Sequence, residues 1–266
     1  MLKKLKEYEN DSTVKLVILK GKGKAFCAGG DLAAYYKHTT EGHWTFATLY
    51  YKKQLILAHL LATYKKPLVA LIDGTVMGAG AGLSMYAPYR IVTENTVFAM
   101  PEAAIGLFPD VGASHFLSRL PGFLGEYLGL TGARLDGEGM IACGLATHFV
   151  LSKDLHMLEN ALEGLTCSDT ASISLLISKF VHQKNYMKQD NAFYERLKIA
   201  NKCFSRETVE DILLALWQPS KLELITGEIV DQYFRNVDDD EDDWEPLKLP
   251  PRSSNGFIID AARSKL

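Results

Sequence analysis

The sequence predicts an α/β fold built on buried parallel strands. Residues 14–20 (VKLVILK) and residues 67–72 (PLVALI) are short runs of β-branched and aliphatic residues, and glycine follows each of them. Continuous apolar runs of this length between turn residues are typical of strands buried on both faces. Both runs lead through a turn of small residues into a helical segment, so the chain contains two strand, turn and helix units of one kind.

Helices and further strands continue this order along the chain. After the first turn, Asp31 is suited to cap a helix over residues 32–37, because its carboxylate can accept a hydrogen bond from a free N–H group of the first helical turn. Apolar periodicity predicts a longer amphipathic helix over residues 44–63. The other predicted elements are strands at residues 89–93, 96–100 and 147–150 and a helix at residues 136–143 that Gly144 ends.

The composition of the chain changes after residue 152. The segments that follow are polar and helical and lack the glycine-rich turns of the first part, and residues 238–243 (DDDEDD) form an acidic run. Such a run next to prolines is typical of a solvated linker. We therefore predict a core at residues 1–152, a helical region at residues 153–235, and an acidic linker and tail at residues 236–266.

The overall composition is that of a globular protein with a large core. Of the 266 residues, 47% are hydrophobic and 23% are charged, and the formal net charge is −3. A weakly acidic chain lacks the positive surface that attracts nucleic acid or an anionic membrane, so we expect neither as a partner. No apolar run approaches the roughly 20 residues of a membrane-spanning helix, and the start of the sequence has no stretch typical of a secretory signal.

The four cysteines, Cys27, Cys143, Cys167 and Cys203, are far apart and form no CxxC pair. Their spacing predicts neither a disulfide framework nor a zinc site. We expect a reducing compartment, no metal and no redox cofactor.

The sequence ends in Ser264-Lys265-Leu266. At a free carboxyl terminus this tripeptide is an address read by the peroxisomal import receptor. We therefore expect the peroxisome as the location and its import receptor as a partner.

Two turns have backbone geometry suited to binding an oxygen that carries negative charge. Gly29-Gly30-Asp31 and Gly78-Ala79-Gly80 each join a strand to a helix, where N–H groups have no partner within the helix. Two such turns at one cavity would form an oxyanion hole. Close packing of a helix on a sheet would explain the same glycines, and neither cluster has the spacing of a nucleotide-binding loop.

Residues 100–112 (MPEAAIGLFPDVG) are apolar apart from two carboxylates, Glu102 and Asp110. Burial raises a carboxylate pKa and adapts it to proton transfer near neutral pH, so the pair could supply an acid or base and a group that positions water. Capping of loop N–H groups is the alternative explanation. The aromatic pairs Tyr35-Tyr36 and Tyr50-Tyr51 are interpreted as covers of a core.

Four blocks of sequence, in a fixed order, resemble the crotonase or enoyl-CoA hydratase superfamily, and within it most of all the 3-hydroxyisobutyryl-CoA hydrolases of plants. They are residues 24–32 (KAFCAGGDL), 66–84 (KPLVALIDGTVMGAGAGLS), 98–122 (FAMPEAAIGLFPDVGASHFLSRLPG) and 130–150 (LTGARLDGEGMIACGLATHFV). The resemblance implies a crotonase-like spiral core of ββα turns with a C-terminal helical region. It also implies a cleft for an acyl-CoA, whose CoA is part of the substrate and not a cofactor.

The resemblance further implies roles for individual residues. The two oxyanion-hole N–H groups of the family fall on Gly30 and Ala79. The carboxylates of the hydrolase branch fall on Glu102, as general base or as nucleophile through a mixed anhydride, and on Asp110, which would orient water or the 3-hydroxyl of the substrate. The residues expected to contact the substrate are Ala28, Gln54, Ala79, Glu102 and Asp110.

The activity implied is hydrolysis of the 3-hydroxyisobutyryl-CoA thioester to free acid and CoA, in valine and branched-chain amino-acid catabolism. Family hydratases hold a second glutamate where this chain has Gly82, so hydratase or isomerase activity is the less favoured alternative. Gln54 stands where the branch often has glutamate, and Ala79 where glycine is usual. Against the family the chain is expected to be short before residue 1 and between residues 214 and 230. An acyl-CoA-binding protein with poor catalysis is therefore a third alternative, and a homo-oligomer is left open.

Overall fold

A computed structural model of the chain describes residues 1–165, 169–182 and 191–217, which form one compact unit. Two four-stranded sheets lie at its centre. The strands are β1 (Val17–Lys20), β2 (Ala25–Cys27), β3 (Leu68–Ile72), β4 (Thr75–Met77), β5 (Tyr89–Val92), β6 (Val97–Ala99), β7 (Leu135–Asp136) and β8 (His148–Phe149). The helices are α1 (Leu2–Asn10), α2 (Leu32–Thr40), α3 (Trp44–Ala62), α4 (Ala79–Ser84), α5 (Ala113–Leu117), α6 (Leu124–Thr131), α7 (Gly137–Cys143), α8 (Leu155–Glu163), α9 (Thr170–Ser178), α10 (Asn191–Cys203) and α11 (Val209–Trp217).

The first six strands alternate between the two sheets along the chain. The first sheet has the order β1-β3-β5-β8 and is parallel throughout. The second has the order β2-β4-β6-β7, parallel except for the antiparallel pair of β6 and β7. Each of the first three units places one strand in the first sheet and the next in the second sheet, and then forms a helix or, after β6, the 3-10 turn Pro101–Ile105. In the last unit the order is reversed, because β7 lies in the second sheet and β8 in the first. The predicted α/β class and its parallel strands are confirmed.

Two of the predicted turns each contain a second strand, which the sequence prediction missed. Strands β2 and β4 have only three residues each, and in β4 only the central residue is buried. A segment this short carries neither an apolar run nor an alternation long enough to indicate a strand. The units are therefore strand, turn, strand and helix, and the second strand carries the chain into the turn that begins the site.

Strand β3 is buried along its whole length because both of its faces are covered. Leu68, Ala70 and Ile72 belong to the large core cluster that also contains Phe98. The alternating residues of β3 lie on the opposite face, in a cluster with residues of α8 and α9. Side chains of successive strand residues point to opposite faces, so a strand covered on both sides must be apolar at every position.

The helices beyond residue 152 pack on this framework. Leu158 of α8 and Ile173 of α9 are fully buried against the first sheet. Further along, Phe204, which follows α10, packs edge to face on Tyr127 of α6, with ring centroids 5.3 Å apart. The last strand of the sheets, β8, ends at Phe149. The predicted division of the chain at residues 152 and 235 stays a prediction, and residue 235 lies outside the described residues. No helix in the described ranges combines the length and apolarity that crossing a bilayer requires.

The packing of α8 on the first sheet predicts a large difference between two leucine substitutions. Leu158→Ala should lower the free energy of unfolding by about 2–5 kcal/mol, because it leaves a cavity in a fully buried site. Leu175→Ala, in α9, should lower it by less than about 0.5 kcal/mol, since Leu175 is 65% exposed. Urea unfolding followed by circular dichroism measures both. Equal small losses would contradict the packing of α8 on the sheet.

Candidate active site

The first wall of the site is the turn between β2 and α2. Gly29 has a φ of 115°, a conformation that side chains rarely adopt. Asp31 caps α2, as predicted, and its carboxylate accepts a hydrogen bond from the Ala34 N–H at 2.9 Å. This cap fixes where the helix begins and leaves Gly30 as the last residue of the turn.

The second wall is the turn between β4 and α4, which lies directly against the first. Gly78 has a φ of 51°, and α4 starts at Ala79. A Cβ atom on Gly29 would lie 3.5 Å from the Met77 carbonyl oxygen, and one on Gly80 would lie 2.7 Å from the Cys27 carbonyl carbon. The two turns therefore approach each other through backbone atoms, and this approach requires glycine at position 80.

Two backbone donors result from this arrangement. Neither the Gly30 N–H nor the Ala79 N–H donates a hydrogen bond to another described residue. Both residues line the same cavity. The turns thus supply two free N–H groups at one place, as an oxyanion hole requires.

Glu102 stands in the 3-10 turn Pro101–Ile105 and is almost fully buried, with 8% of its surface exposed. Its Oε2 atom has no hydrogen-bond partner in the described part of the chain. Burial raises the pKa of Glu102, a hydrogen bond from its own backbone N–H lowers it, and the nearby Asp110 carboxylate raises it again. The net effect is a carboxyl group whose pKa lies above its ordinary value and which has one oxygen available to a ligand.

Asp110, a second assigned carboxylate that lines the cavity, is only partly buried. Tyr51 of α3 lines the same cavity. Burial first, and then the charge of the nearby Asp110, raise the pKa of Tyr51 to about 12. Tyr51 therefore remains neutral at all physiological pH values, with a hydroxyl group near Asp110.

The aromatic residues of α2 and α3 contribute more to the site than the sequence indicated. Tyr35, Tyr50 and Tyr51 line the cavity, whereas the interpretation as core covers placed them elsewhere. Tyr50 lies so close to Gly30 that a Cβ atom there would be 3.3 Å from the tyrosine Cζ and would overlap the hydroxyl. Tyr36, in contrast, is 72% exposed. The sequence did contain a signal for Tyr50 and Tyr51. They precede Gln54, which was already assigned to the site, by four and three residues, and residues at this spacing are neighbours on a helix surface.

One cavity of about 110 Å³ brings together the residues that the sequence assigned to the site. They are Ala28, Gly30, Gln54, Ala79, Glu102 and Asp110. Exposed apolar side chains of Leu32, Ile105 and Leu107 complete its walls. The individual catalytic and binding roles of these residues stay predictions. Ser264, Lys265 and Leu266 lie outside the described residues.

The described residues contain no group of three or more His, Cys, Asp or Glu side chains placed to hold a metal ion. Cys27, Cys143 and Cys203 are free thiols. Burial raises the pKa of Cys143 to about 11, so that this thiol stays protonated. The polar side chains that line the cavity are the carboxylates of Asp31, Glu102 and Asp110, the Gln54 amide and the hydroxyls of Tyr35, Tyr50 and Tyr51.

The chain has many relatives among known proteins. It is 51% identical over 224 residues to "Probable 3-hydroxyisobutyryl-CoA hydrolase 3" of Arabidopsis thaliana, covering 84% of this chain and 59% of the relative. It is 45% identical over 217 residues to "3-hydroxyisobutyryl-CoA hydrolase, mitochondrial" of Rattus norvegicus, covering 80% and 56%. The chain thus spans little more than half the length of these relatives.

A third relative can be aligned over most of its length. "Probable 3-hydroxyisobutyryl-CoA hydrolase 2" of Arabidopsis thaliana is 39% identical over 337 residues, which cover 96% of this chain and 88% of the relative. That span exceeds the 266 residues of this chain, so the relative contains residues without a counterpart here.

A solved structure confirms the predicted crotonase-like fold. An enoyl-CoA hydratase from Rhodobacter sphaeroides 2.4.1 superposes with a TM-score of 0.71 at 32% identity, covering 83% of this chain and 61% of that one. The sequence profile of the enoyl-CoA hydratase/isomerase family matches residues 1–224. Together with the ββα units and the paired turns, these matches show that the chain belongs to the enoyl-CoA hydratase/isomerase family.

Proposed function

We propose that this chain hydrolyses the thioester of 3-hydroxyisobutyryl-CoA, or of a closely related short 3-hydroxyacyl-CoA, to the free acid and CoA. The substrate class is supported by the relatives named as 3-hydroxyisobutyryl-CoA hydrolases. In the cell the reaction would belong to valine and branched-chain amino-acid catabolism. It consumes one water molecule and releases the CoA thiol.

The observation that carries the proposal is the state of Glu102. Its carboxylate is buried, its Oε2 atom has no partner in the described residues, and it shares a cavity with Asp110 and two free backbone N–H groups. A buried polar atom without a partner is costly in a folded protein unless a ligand or water completes it. A reacting water would complete it by donating an O–H hydrogen bond to Oε2.

The geometry supports a stepwise mechanism. The thioester carbonyl oxygen would accept hydrogen bonds from the Gly30 and Ala79 N–H groups, which stabilise the negative charge of the tetrahedral intermediate. Glu102 would either take a proton from the attacking water or attack the carbonyl carbon itself to form a mixed anhydride. Asp110 would position water or the substrate 3-hydroxyl. When the carbonyl re-forms, the carbon–sulfur bond breaks and the CoA thiolate leaves; in the general-base route it takes up the proton that Glu102 removed from water. In the anhydride route, water then cleaves the anhydride, which releases the acid and the Glu102 carboxylate and supplies the proton of the thiol.

The walls of the cavity suit a short acyl chain with a polar substituent. Leu32, Ile105 and Leu107 present apolar surface, which favours the hydrocarbon part of the ligand. Gln54 adds an amide that can donate and accept hydrogen bonds, although it carries no charge. A 3-hydroxyl group could thus meet Asp110 or Gln54 while the methyl group contacts the apolar side chains.

Two other activities are alternatives to hydrolysis, and the substitution of Glu102 described below distinguishes them. Hydration of an enoyl-CoA is disfavoured because Gly82 offers no second carboxylate near Glu102. Binding of acyl-CoA without turnover is the other alternative, and the absence of thiol release from a bound substrate would reveal it. A homo-oligomer is also part of the proposal, and the exposed apolar residues Leu49, Leu55 and Ile56 of α3 support it.

Substitution of Glu102 should separate these activities. Glu102→Gln should reduce thiol release from 3-hydroxyisobutyryl-CoA by about 10²–10⁴-fold, the range typical for loss of a general acid or base. Glu126→Gln, an exposed glutamate in α6, should leave the rate unchanged. Released CoA is measured with a thiol reagent, beside hydration of crotonyl-CoA. Hydration without thiol release would support a hydratase, and full hydrolysis by Glu102→Gln would overturn the mechanism.

The raised pKa of Glu102 predicts opposite pH dependences for activity and stability. Because the base must be ionised, kcat/KM should fall as the pH drops through a value above the ordinary 4.5 of glutamate. For stability the sign is reversed: a folded-state pKa above the unfolded one favours folding at low pH, and this contribution is lost as the pH rises through the folded pKa. Glu102→Gln should therefore raise the Tm at pH 7, because glutamine removes the buried negative charge. At pH 4 the difference should disappear. Scanning calorimetry at both pH values measures it, and an equal difference at both would contradict the buried charge.

We assign the peroxisome as the location on the strength of Ser264-Lys265-Leu266, which requires that Leu266 carries a free carboxylate. A fluorescent protein fused to the N-terminus should accumulate in peroxisomes, whereas removal of the last three residues, or a tag that follows Leu266, should abolish import. Fluorescence microscopy with peroxisomal and mitochondrial markers measures this. Because the rat relative is named as mitochondrial, co-localisation with mitochondria would overturn the assignment.

A further inference from the structure

The residue that follows Asp110 has a strained backbone. Val111 has a φ of 47°, and it is the one non-glycine residue with positive φ within the described residues. For a β-branched side chain this conformation is an outlier, because Cβ and its substituents crowd the neighbouring backbone. Such strain persists only where the surrounding structure determines the conformation, and it occurs most often at functional sites. Its position next to a carboxylate of the cavity calls for a physical explanation.

The side chain of Val111 is held in a socket formed by Gly82. Val111 is 3% exposed, and Gly82 is buried in α4. A Cβ atom added to Gly82 would lie 2.5 Å from the Val111 Cβ, 2.8 Å from its Cγ2 and 3.1 Å from its carbonyl oxygen. These distances are far below van der Waals contact, so the valine occupies the volume that any side chain at position 82 would need.

The backbone around Val111 is held by Tyr86 and by the start of α5. The Tyr86 hydroxyl donates a hydrogen bond to the Val111 carbonyl oxygen at 3.3 Å. Gly112 has a φ of 85°, and a Cβ atom there would lie 2.7 Å from the Tyr86 Cζ. On the other side, the Ala113 N–H donates to the Asp110 carbonyl oxygen at 2.7 Å. Asp110 is thus fixed through its own carbonyl group and through the residue that follows it.

One short helix therefore supports two parts of the cavity. Helix α4 begins with Ala79, whose N–H is one of the two free donors, and it contains Gly82, three residues further on. Tyr86 follows the end of the same helix. The Ala79 donor and the residues that contact the Asp110 turn therefore belong to one short segment of the chain.

We propose that Val111, inserted into the socket at Gly82, is a positioning residue that sets the orientation of Asp110 in the cavity. The inference rests on the proposed hydrolase function, because the orientation of Asp110 matters only if that carboxylate acts on water or substrate. It further implies that position 82 must remain without a side chain in this protein. A methyl group there would push Val111 outward and turn Asp110 away from Glu102.

The test changes which of the positions 82 and 111 carries a side chain. Gly82→Ala fills the socket, Val111→Gly removes the inserted side chain and the backbone strain, and the double variant combines them. Gly164→Ala is the matched control, because a Cβ atom there would lie 3.5 Å from its nearest neighbour, the Asn160 carbonyl oxygen, which is ordinary contact. For each variant, thiol release gives kcat and KM, and thermal unfolding gives the Tm.

We expect Gly82→Ala to lower kcat by about tenfold or more while KM changes by less than about twofold, since a small displacement of a reacting group lowers the rate more than the affinity. Val111→Gly should also lower kcat, because Asp110 loses its anchor. The double variant should have the kcat of Val111→Gly alone, because the added methyl group then meets no side chain. Gly164→Ala should match the wild type.

Coupling in the Tm provides a second readout if Gly82→Ala is too unstable to assay. Gly82→Ala should lower the Tm strongly when Val111 is present and much less in the Val111→Gly background. The inference would be overturned if Gly82→Ala had the kcat and Tm of the wild type. It would also be overturned if the Tm losses of the two single variants were additive in the double variant. If the wild type releases no thiol, the proposed function fails and the positioning role fails with it, whereas thiol release that Gly82→Ala and Val111→Gly leave unchanged would overturn the positioning role alone.

Discussion

The site depends on the close approach of two backbone turns, and that approach depends on absent side chains. Strands β2 and β4 are parallel neighbours, so the turns after them begin at the same edge of the second sheet. Gly80 then packs directly on the backbone of Cys27. The Gly30 and Ala79 N–H groups come to line one cavity without any contribution from a side chain. Every other group of the site is arranged around this pair of donors.

Two of the carboxylates that line this cavity, Glu102 and Asp110, lie in different environments. Glu102 is buried, and its pKa is raised by that burial and by Asp110. Asp110 is more exposed and lies near Tyr51. A buried acid beside a more exposed one is a common arrangement in sites that transfer protons. In our proposal the strained turn at Val111 places the second of these groups.

Much of the framework could be predicted from local sequence. The buried strand β3, the Asp31 cap and the end of α7 at Gly144, which has a φ of 83°, follow from apolar runs and from the chemistry of helix ends. Strands β2 and β4 could not be predicted, because they are stabilised by pairing with distant strands and not by their own pattern. The tyrosines of α3 could not be assigned either, since periodicity shows that a helix has an apolar face and not what that face covers.

The sequence by itself determined the class of fold, the family and the residue types that the chemistry uses, because glycine turns, caps and the carboxylates of an apolar segment are local properties. Only the tertiary structure decided that Gly30, Ala79, Glu102 and Asp110 line one cavity, that Tyr51 lies near Asp110, and that Val111 occupies the space at Gly82. These contacts join residues that are far apart along the chain. Their existence depends on how the units pack, which no single segment encodes.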